Sequence, residues 1–397
     1  MRMLSVGNMY PPHHLGGYEL IWRGAVADLR QRGHEIRIVT TDYRASAPDP
    51  AIEEDPDCHR ELRWYWRDHR FPRLMPHTRL RVERHNQRVL ERHLHEWRPD
   101  LVAWWPMGGM SMSLIERVAR SPLPALAVVM DDWPSYGPLV DAWQRPLRGR
   151  PRLGRVAERL TGVPTLGNLA AATDWTFISE TQRRRVEESV GVLPDATIAN
   201  AGVDGALFRP ADEHPWRWRL LYCGRIDPRK GIDLGVRALP LLPAEAALRI
   251  VGDGDEGHRA ELISLARELG VAERVRFERV PRDRLGKVFA EDDVLLFPVR
   301  WAEPWGLVPL EAMAVGMPVV ASGRGGSGEY LDDGANSLVV DPEAGPQALA
   351  DALTRLAHDK TLRRRIRAGA LATAERFPDN LFADGVERAA EAAVAGR

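Results

Sequence analysis

Three features that are scarce or absent limit what this 397-residue chain can be. Its two cysteines, Cys58 and Cys223, are too few and too dispersed for a disulfide framework or a zinc site, so a reducing cytoplasmic interior is expected. The formal net charge of −1 argues against a general nucleic-acid binder. No apolar run approaches the ~20 residues that span a bilayer. The apolar segment at the start of the sequence is too short and too interrupted to be expected as a signal peptide.

The length and the alternation of short apolar runs with amphipathic segments predict two α/β domains with parallel sheets. The first domain is expected at 1–204, together with a helix within 379–397 that returns to it, and the second at 205–378. The linker is predicted at 205–217. Predicted strands cover residues 3–8, 35–41, 100–105, 124–130, 174–179, 196–200, 220–224, 248–251, 275–280, 295–297 and 318–321.

The most informative stretch is 295–326, which predicts a strand, a polar loop, a helix over 310–315 and a second strand. Glu303 lies in the loop and Glu311 inside the helix, eight positions later. The helix start offers unpaired N–H groups at Trp305, Gly306, Leu307 and Val308, and its dipole favours an anion such as a phosphate. A bound diphosphate would leave both carboxylates free to accept hydrogen bonds from sugar hydroxyls. Two glutamates at this spacing also occur on ordinary surface helices.

The residues around the two glutamates add a resemblance. The run E-P-W-G-L-V-P-L-E-A-M-A-V-G-M-P-V-V-A-S-G-R-G-G, from Glu303 to Gly326, resembles the Glu-x7-Glu motif of glycosyltransferase family 4. These enzymes are retaining sugar transferases of the GT-B fold, in which two Rossmann-like domains face a central cleft and the last helix crosses back to the first domain. The resemblance implies that Glu303 positions the hydroxyls of the donor sugar and that Glu311 binds the ribose.

A second motif follows the first strand of the second domain. The sequence G-R-I-D-P-R-K-G places Arg225 and Lys230 in the loop after that strand, where a planar guanidinium and a point charge can clamp a diphosphate. Basic residues near a turn are also common on protein surfaces. The pattern resembles the donor-phosphate motif of the same family, which implies that Arg225 and Lys230 neutralise the leaving nucleotide.

Three further regions are compared with the family. Gly16 and Gly17, between the first strand and its helix, match a glycine-rich loop beside the donor diphosphate, although a simple turn explains such a pair equally well. Asp131, or Met130 in another alignment, stands where the family often has a His-Asp pair in the donor-sugar pocket, and the histidine is absent here. The family usually has glycine where Arg279 stands, beside the predicted contact of the Val280 backbone with the nucleobase.

The region 60–98 is rich in arginine and aromatic residues and ends in a helix predicted over 78–97. One interpretation is a basic amphipathic surface that contacts anionic lipid at the inner face of the membrane or a phosphorylated acceptor. The other is a solvated helix face whose charges are compensated by nearby acidic residues. The six histidines of residues 59–98 lack a tight ligand spacing, so they predict no metal site.

Taken with the resemblance, these motifs predict a retaining transferase that moves a sugar from a nucleotide-diphosphate sugar to an acceptor hydroxyl on a lipid, a glycan or a small molecule. No residue is a convincing covalent nucleophile, so attack on the same face, assisted by a donor phosphate oxygen, is expected. No Asp-x-Asp signature lies in a suitable loop, so no divalent metal or other cofactor is expected. Two alternatives remain: a nucleotide-sugar epimerase of the same fold and a non-catalytic nucleotide-sugar-binding module.

Overall fold

The computed structural model describes residues 1–66, 70–165 and 167–396. The chain forms two compact units. The first contains Met1–Asn200 and Phe382–Arg397, and the second contains Ala201–Leu381. Among the helices of the described ranges, none combines the length and the apolarity needed to cross a bilayer.

The first unit is built on a seven-stranded sheet with the order β3-β2-β1-β4-β5-β6-β7, and its strand pairs are parallel. The central strands are buried on both faces, as expected for a parallel sheet covered by helices. The strands are β1 (Arg2–Val6), β2 (Glu35–Thr41), β3 (Cys58–Leu62), β4 (Leu101–Trp104), β5 (Ala125–Val129), β6 (Asp174–Phe177) and β7 (Thr197–Ile198). The helices are α1 (Gly17–Gln31), α2 (Pro76–Trp97), α3 (Ser113–Ala119), α4 (Trp133–Val140), α5 (Pro151–Thr161) and α6 (Glu180–Val190).

The second unit is built on a six-stranded parallel sheet with the order β10-β9-β8-β11-β12-β13. This is the doubly wound strand order of a Rossmann domain. The strands are β8 (Arg219–Cys223), β9 (Ala247–Val251), β10 (Val275–Glu278), β11 (Val294–Phe297), β12 (Val319–Ala321) and β13 (Leu338–Val339). The helices are α7 (Ile232–Ala238), α8 (Glu256–Glu268), α9 (Leu285–Glu291), α10 (Leu307–Val315), α11 (Gly345–His358) and α12 (Lys360–Glu375).

The last helix, α13 (Leu381–Ala395), packs on the first unit and contacts the end of α1, which confirms the predicted returning helix. Glu387 accepts hydrogen bonds at 2.6 Å from both Arg32 and His34. Gly385 lies so close to β7 that a β-carbon built on it would be 2.6 Å from the Ala199 β-carbon. The helix is therefore fastened by a buried small-residue contact and an exposed ionic one.

Two edge strands, β3 and β13, were not predicted, and β3 shows why. The strand lies at the edge of the sheet, and four of its five residues are only half-buried, so it lacks the continuous apolar run that identified the central strands. The helix α10 begins at Leu307, among the residues 305–308 that were predicted to offer unpaired N–H groups at the helix start. Gly306 and Pro309 occupy positions that a helix tolerates before and within its first turn.

The contact between Gly385 and Ala199 predicts a specific sensitivity. Gly385→Val should lower the free energy of unfolding by about 1–3 kcal/mol, because the added side chain overfills the interface between α13 and β7. Urea unfolding monitored by tryptophan fluorescence measures the effect. Ala392→Val is the matched control, since Ala392 is exposed on the same helix. Equal unfolding energies for the two variants would contradict the packing role of Gly385.

Candidate active site

The predicted residues of the second unit meet where its strand order reverses. β8 and β11 are neighbours in the sheet, and the chain leaves them in opposite directions, so the loops after their carboxyl ends border an open crevice. Lys230 follows β8 and Glu303 follows β11. Residues 73 positions apart in the chain are therefore brought together by the topology of the sheet.

Lys230 and Glu303 form an ion pair in which the ammonium nitrogen lies 2.6 Å from the Glu303 Oε2 atom. Both side chains are 14% exposed, so the pair is largely withdrawn from water. The Trp301 indole N–H donates to the same carboxylate oxygen at 2.8 Å, and the Lys230 ammonium lies 5.5 Å from the Trp301 ring centre. Sequence reasoning predicted Lys230 and Glu303 as separate ligand contacts, but it missed Trp301.

Two glycines allow the loops to approach this closely. Gly231, next to Lys230, has φ +68°, and a β-carbon there would lie 2.1 Å from the carbonyl oxygen of Pro298. Gly325 has φ +81°, and a β-carbon there would lie 2.2 Å from the carbonyl oxygen of Glu303. The Gly326 N–H donates to that carbonyl at 2.7 Å. Close backbone packing at these two glycines thus fixes the positions of the loops that carry Lys230 and Glu303.

The amino terminus of α10 lies next to Glu303 in the chain, as predicted. Gly306 precedes the helix with φ +84°, and its carbonyl accepts a hydrogen bond from the Tyr330 hydroxyl. The Trp305 indole N–H donates to the Ala201 carbonyl at 2.9 Å, which holds the loop before the helix. Since Pro309 has no N–H, the first turn presents the backbone amides of Leu307 and Val308.

The second carboxylate of the motif is buried and already has a partner. Glu311 accepts a hydrogen bond from the Arg282 guanidinium at 2.9 Å, and its side chain is 3% exposed whereas that of Arg282 is 51% exposed. Burial raises the pKa of Glu311, and the nearby Arg282 opposes this shift. Arg282 thus lies between Glu311 and solvent. Its pairing with a residue 29 positions away was not apparent from sequence spacing.

Arg225, the other predicted cation, is about half-exposed and lies 3.4 Å from Asp227. Asp227 also accepts hydrogen bonds from the Arg229 side chain at 2.7 and 2.9 Å, and these bonds lower the pKa of Asp227 to about 2. The Arg229 guanidinium stacks 4.6 Å from the Trp301 ring centre. The structure therefore adds Arg229 to the cations of this loop, and Trp301 links it to the pair of Lys230 and Glu303.

Val280, predicted to contact the nucleobase, is half-buried and follows β10. The neighbouring Arg279 is exposed and turns to Asp253, with 2.8 Å between the guanidinium and a carboxylate oxygen. Arg279, which stands where the family usually has glycine, therefore forms an ion pair between the loop that follows β10 and the loop that follows β9. Whether Val280 contacts a base stays a prediction.

In the first unit, Gly16 and Gly17 form the start of α1. The Gly16 N–H donates to the Glu19 carboxylate at 3.1 Å, so the helix terminus is capped by its own side chain. A β-carbon at Gly17 would meet no atom within 4 Å, and one at Gly16 would meet Glu19 at 4.0 Å. Packing within the described residues does not require glycine at either position. Their predicted contact with a ligand stays a proposal.

Asp131 follows β5 and is enclosed by aromatic residues. Its carboxylate accepts hydrogen bonds at 3.2 Å from the Trp133 backbone N–H and from the Tyr136 hydroxyl. Burial raises the pKa of Asp131 to about 7, with Asp132 contributing in the same direction. Asp132 is bound by α6, through Gln182 at 2.9 Å and Arg185 at 2.7 Å.

Three potential metal ligands, His59, Glu61 and His93, come within 4.8 Å of one another in the first unit, although sequence spacing predicted no such cluster. His59 and Glu61 are two positions apart on β3, so both side chains lie on the same face of the strand, the one that meets α2. His93 is 2.9 Å from Glu61, and Arg92 also donates to that carboxylate. Because a guanidinium occupies the carboxylate that a cation would need, the cluster is best described as a polar network fastening β3 to α2.

The second unit also contains a cavity of about 460 Å³ that does not include any of the predicted site residues. Its lining includes Trp216, Asp292, Asp293 and Pro318, which precede β8, β11 and β12. It therefore lies at the amino ends of the strands, whereas ligands of doubly wound sheets bind beyond the carboxyl ends. Cavity volume alone does not locate the active site here.

Comparison with known proteins shows the family and the fold of the chain. Residues 208–372 match the family model described as Glycosyl transferases group 1. The chain is 30% identical over 361 residues to the GDP-mannose-dependent alpha-(1-6)-phosphatidylinositol monomannoside mannosyltransferase of Mycolicibacterium smegmatis, which covers 85% of both chains. It is 35% identical over 240 residues to the D-inositol 3-phosphate glycosyltransferase of Acidothermus cellulolyticus, covering 55% of this chain. The match spans about half the length of this relative and of two further D-inositol 3-phosphate glycosyltransferases.

Solved structures share the fold. Sucrose-phosphate synthase of Thermosynechococcus elongatus superposes with a TM-score of 0.75 at 20% identity, over the full length of both chains. Anabaena HepE, in complex with UDP and glucose, has a TM-score of 0.69 at 19% identity and covers 98% of this chain and 99% of its own. The GT-B fold expected from the motifs is confirmed.

The perturbed pKa of Asp131 predicts a pH-dependent stability. Its folded pKa of about 7 lies above the reference value of 3.8, so the protonated carboxyl stabilises the fold at low pH and this contribution is lost as the pH rises through 7. Wild type should therefore lose stability relative to Asp131→Asn between about pH 4 and pH 7. Denaturant titrations at several pH values measure this difference.

Glu387 provides a control of opposite sign for that experiment. Its hydrogen bonds to His34 and Arg32 lower its pKa, so wild type should lose its advantage over Glu387→Gln as the pH falls below the reference value of 4.5. A difference between wild type and Asp131→Asn that does not change with pH would contradict the raised pKa of Asp131.

Proposed function

Because the chain belongs to the group 1 glycosyl transferase family, we propose that it transfers a hexosyl group from a nucleotide-diphosphate sugar to an acceptor hydroxyl, with retention at the anomeric carbon. The observation that carries the proposal is the ion pair of Lys230 and Glu303, at the carboxyl ends of adjacent strands and beside the amino terminus of α10. This arrangement combines a cation, directed amides and a hydroxyl-binding carboxylate around one position.

In the proposed reaction, the bond between the anomeric carbon and the donor phosphate oxygen breaks while the acceptor oxygen attacks the same face. Negative charge then develops on the departing diphosphate. Lys230, Arg225 and the amides of Leu307 and Val308 would stabilise that charge, which is where preorganised electrostatics contribute most to a rate. The acceptor proton passes to a donor phosphate oxygen, so no covalent enzyme intermediate is required.

Glu303 has two functions in this proposal. Without donor, it neutralises a cation that is largely withdrawn from water. With donor bound, the diphosphate would take over part of that neutralisation, and the carboxylate would accept hydrogen bonds from sugar hydroxyls. Glu311 would accept from the ribose once Arg282, which is half-exposed, moves aside or shares the carboxylate. Gly16, Gly17 and Asp131 remain proposed donor contacts of the first unit, and Val280 a proposed base contact.

The relatives indicate where a substrate search should start. One relative is described as GDP-mannose-dependent and acts on a phosphatidylinositol monomannoside, and another acts on D-inositol 3-phosphate. We propose a hydroxyl of a cyclitol or of its lipid conjugate as the first acceptor class to test, with UDP-, GDP-, ADP- and dTDP-sugars as donors. A sugar product released without acceptor, epimerised at one carbon, would instead support the epimerase alternative.

The central prediction concerns the ion pair. Lys230→Met and Glu303→Gln should each lower the turnover number roughly 100- to 1,000-fold, because each removes a group directed at the reacting donor. Radiolabelled sugar transfer measures the rate. Lys287→Met is the matched control, since Lys287 is exposed on α9 and pairs only loosely with Glu291 at 3.9 Å.

Loss of activity through unfolding is distinguished by a double variant. Each single substitution leaves one largely buried group without its partner, so both should lower the thermal midpoint. Combining Lys230→Met with Glu303→Gln removes both charges and should recover part of that stability without recovering turnover. Turnover within threefold of wild type in either folded single variant would refute the assigned site.

No Asp-x-Asp signature lies in a loop suited to a donor metal, since Asp253 of Asp253-Gly254-Asp255 pairs with Arg279 and Asp255 caps α8; transfer is therefore predicted to need no divalent metal. Extensive dialysis against EDTA should leave the rate of sugar transfer within about twofold of the untreated enzyme, because Lys230 and the helix amides supply the positive charge that a metal would otherwise bring to the diphosphate. Recovery of a lost rate on adding Mg²⁺ or Mn²⁺ would contradict this prediction.

A further inference from the structure

The helix α5 of the first unit places its apolar side chains outward. Leu153, Val156 and Leu160 follow the helical spacing i, i+3 and i+7, so they form one stripe. Their exposures are 52%, 50% and 78%. Pro151 begins the helix, and Gly162, with φ +73°, ends it. The segment is thus a well-defined amphipathic helix with an apolar stripe that the described residues leave uncovered.

The opposite side of α5 contacts the protein through small and polar groups. Gly154 is buried, and a β-carbon there would lie 3.1 Å from the Thr165 hydroxyl. Glu158 pairs with Arg120 and accepts a hydrogen bond from the Thr165 backbone at 3.3 Å. These contacts fix which face of the helix is turned inward. The contacts of Gly154 and Glu158 therefore hold the apolar stripe on the outward face of the helix.

The chain segment that carries this stripe is strongly basic. Within residues 142–161 there is one acidic residue, Glu158, and it is engaged by Arg120. The same segment contains six exposed arginines: Arg145, Arg148, Arg150, Arg152, Arg155 and Arg159. The three within the helix lie beside the apolar stripe, where long side chains can place their guanidinium groups at the level of lipid headgroups.

The region 60–98, the other basic and aromatic candidate, differs from α5 in this respect. Trp64 and Trp66 stack on each other with ring centres 4.6 Å apart, and Leu90 and Trp97 of α2 are buried. Residues 67–69 of this region lie outside the described residues. Of its described residues, Met75 is the exposed large apolar side chain. Its apolar groups are thus mostly used for packing within the unit.

We propose that α5 is a membrane-docking helix that lies in the headgroup region of an anionic phospholipid bilayer. Three aliphatic side chains on a helix about 16 Å long form much less than the ~800 Å² per partner of a stable protein interface. The six exposed arginines of the same segment match a negatively charged surface, and a short basic amphipathic helix is suited to shallow, reversible insertion. The inference goes beyond the proposed function, because it does not depend on the donor site or on the identity of the acceptor.

Vesicle co-sedimentation of the full chain tests the proposal. Wild type should bind vesicles of phosphatidylglycerol and phosphatidylcholine at low salt, bind phosphatidylcholine alone at least tenfold more weakly, and be released by high salt. Leu153→Ser combined with Leu160→Ser should weaken binding to the anionic vesicles roughly tenfold or more, because it removes two of the inserted side chains. Arg152→Gln, Arg155→Gln and Arg159→Gln together should reduce both the binding and its salt dependence.

Matched controls separate the helix from a general effect of apolar exposure. Val192→Ser combined with Leu241→Ser removes two exposed apolar side chains elsewhere and should bind vesicles like wild type. Hydrogen exchange should show protection on vesicle binding that includes residues 148–161. Circular dichroism and donor hydrolysis, with no acceptor, should be unchanged in the α5 variants, so the result is independent of the transferase proposal.

Three outcomes would overturn the inference. If wild type does not bind anionic vesicles at low salt, α5 is not a membrane-docking helix. Serine variants of α5 that bind as tightly as wild type would place the contact elsewhere. A concentration-dependent dimer of wild type in size-exclusion chromatography, lost in the serine variant without any vesicle binding, would assign the apolar stripe to a second copy of the chain.

Discussion

A single ionic contact determines how the second unit can work. Lys230 and Glu303 are oppositely charged, largely withdrawn from water and 2.6 Å apart, so each depends on the other until a ligand replaces part of the contact. The cost of leaving either charge alone keeps the loops after β8 and β11 together. The same pair would be an efficient receptor for a donor that brings a diphosphate for the cation and hydroxyl groups for the carboxylate.

The backbone makes that contact possible. Gly231 and Gly325 lie against carbonyl oxygens of the neighbouring loop at distances that no side chain could accept, and both have a positive φ. The loops are therefore positioned by close backbone packing and the side chains by the loops. Trp301 completes the arrangement, because its ring lies near Lys230 and Arg229 while its N–H binds Glu303. Rigid positioning of this kind is what electrostatic stabilisation of a leaving group requires.

Much of this could be predicted from the sequence where local chemistry decides the structure. The continuous apolar runs of β8 and β11 identified buried parallel strands, and the motifs beyond their ends identified Lys230 and Glu303. Partners that depend on tertiary approach could not be predicted. Arg282 reaches Glu311 from another loop. The contact of Glu19 with the Gly16 N–H differs, because it is a local capping contact three residues apart; it competes with the phosphate expected there. The edge strand β3 was missed because half-buried residues carry little periodic signal.

The helices α2 and α5 show that hydrophobic periodicity does not predict which face of a helix is buried. Both helices are amphipathic, and the helical spacing of their apolar residues does not say which face meets the protein. In α2 the apolar residues Leu90 and Trp97 are buried. In α5 the buried position is Gly154, and the apolar stripe is turned outward. A hydrophobic pattern shows that a helix has two faces, whereas the contacts of the small and polar residues decide which face meets the protein. The outward orientation of the α5 stripe leaves three aliphatic side chains in contact with water, and the six exposed arginines of the same segment indicate that a surface covering the stripe would be negatively charged.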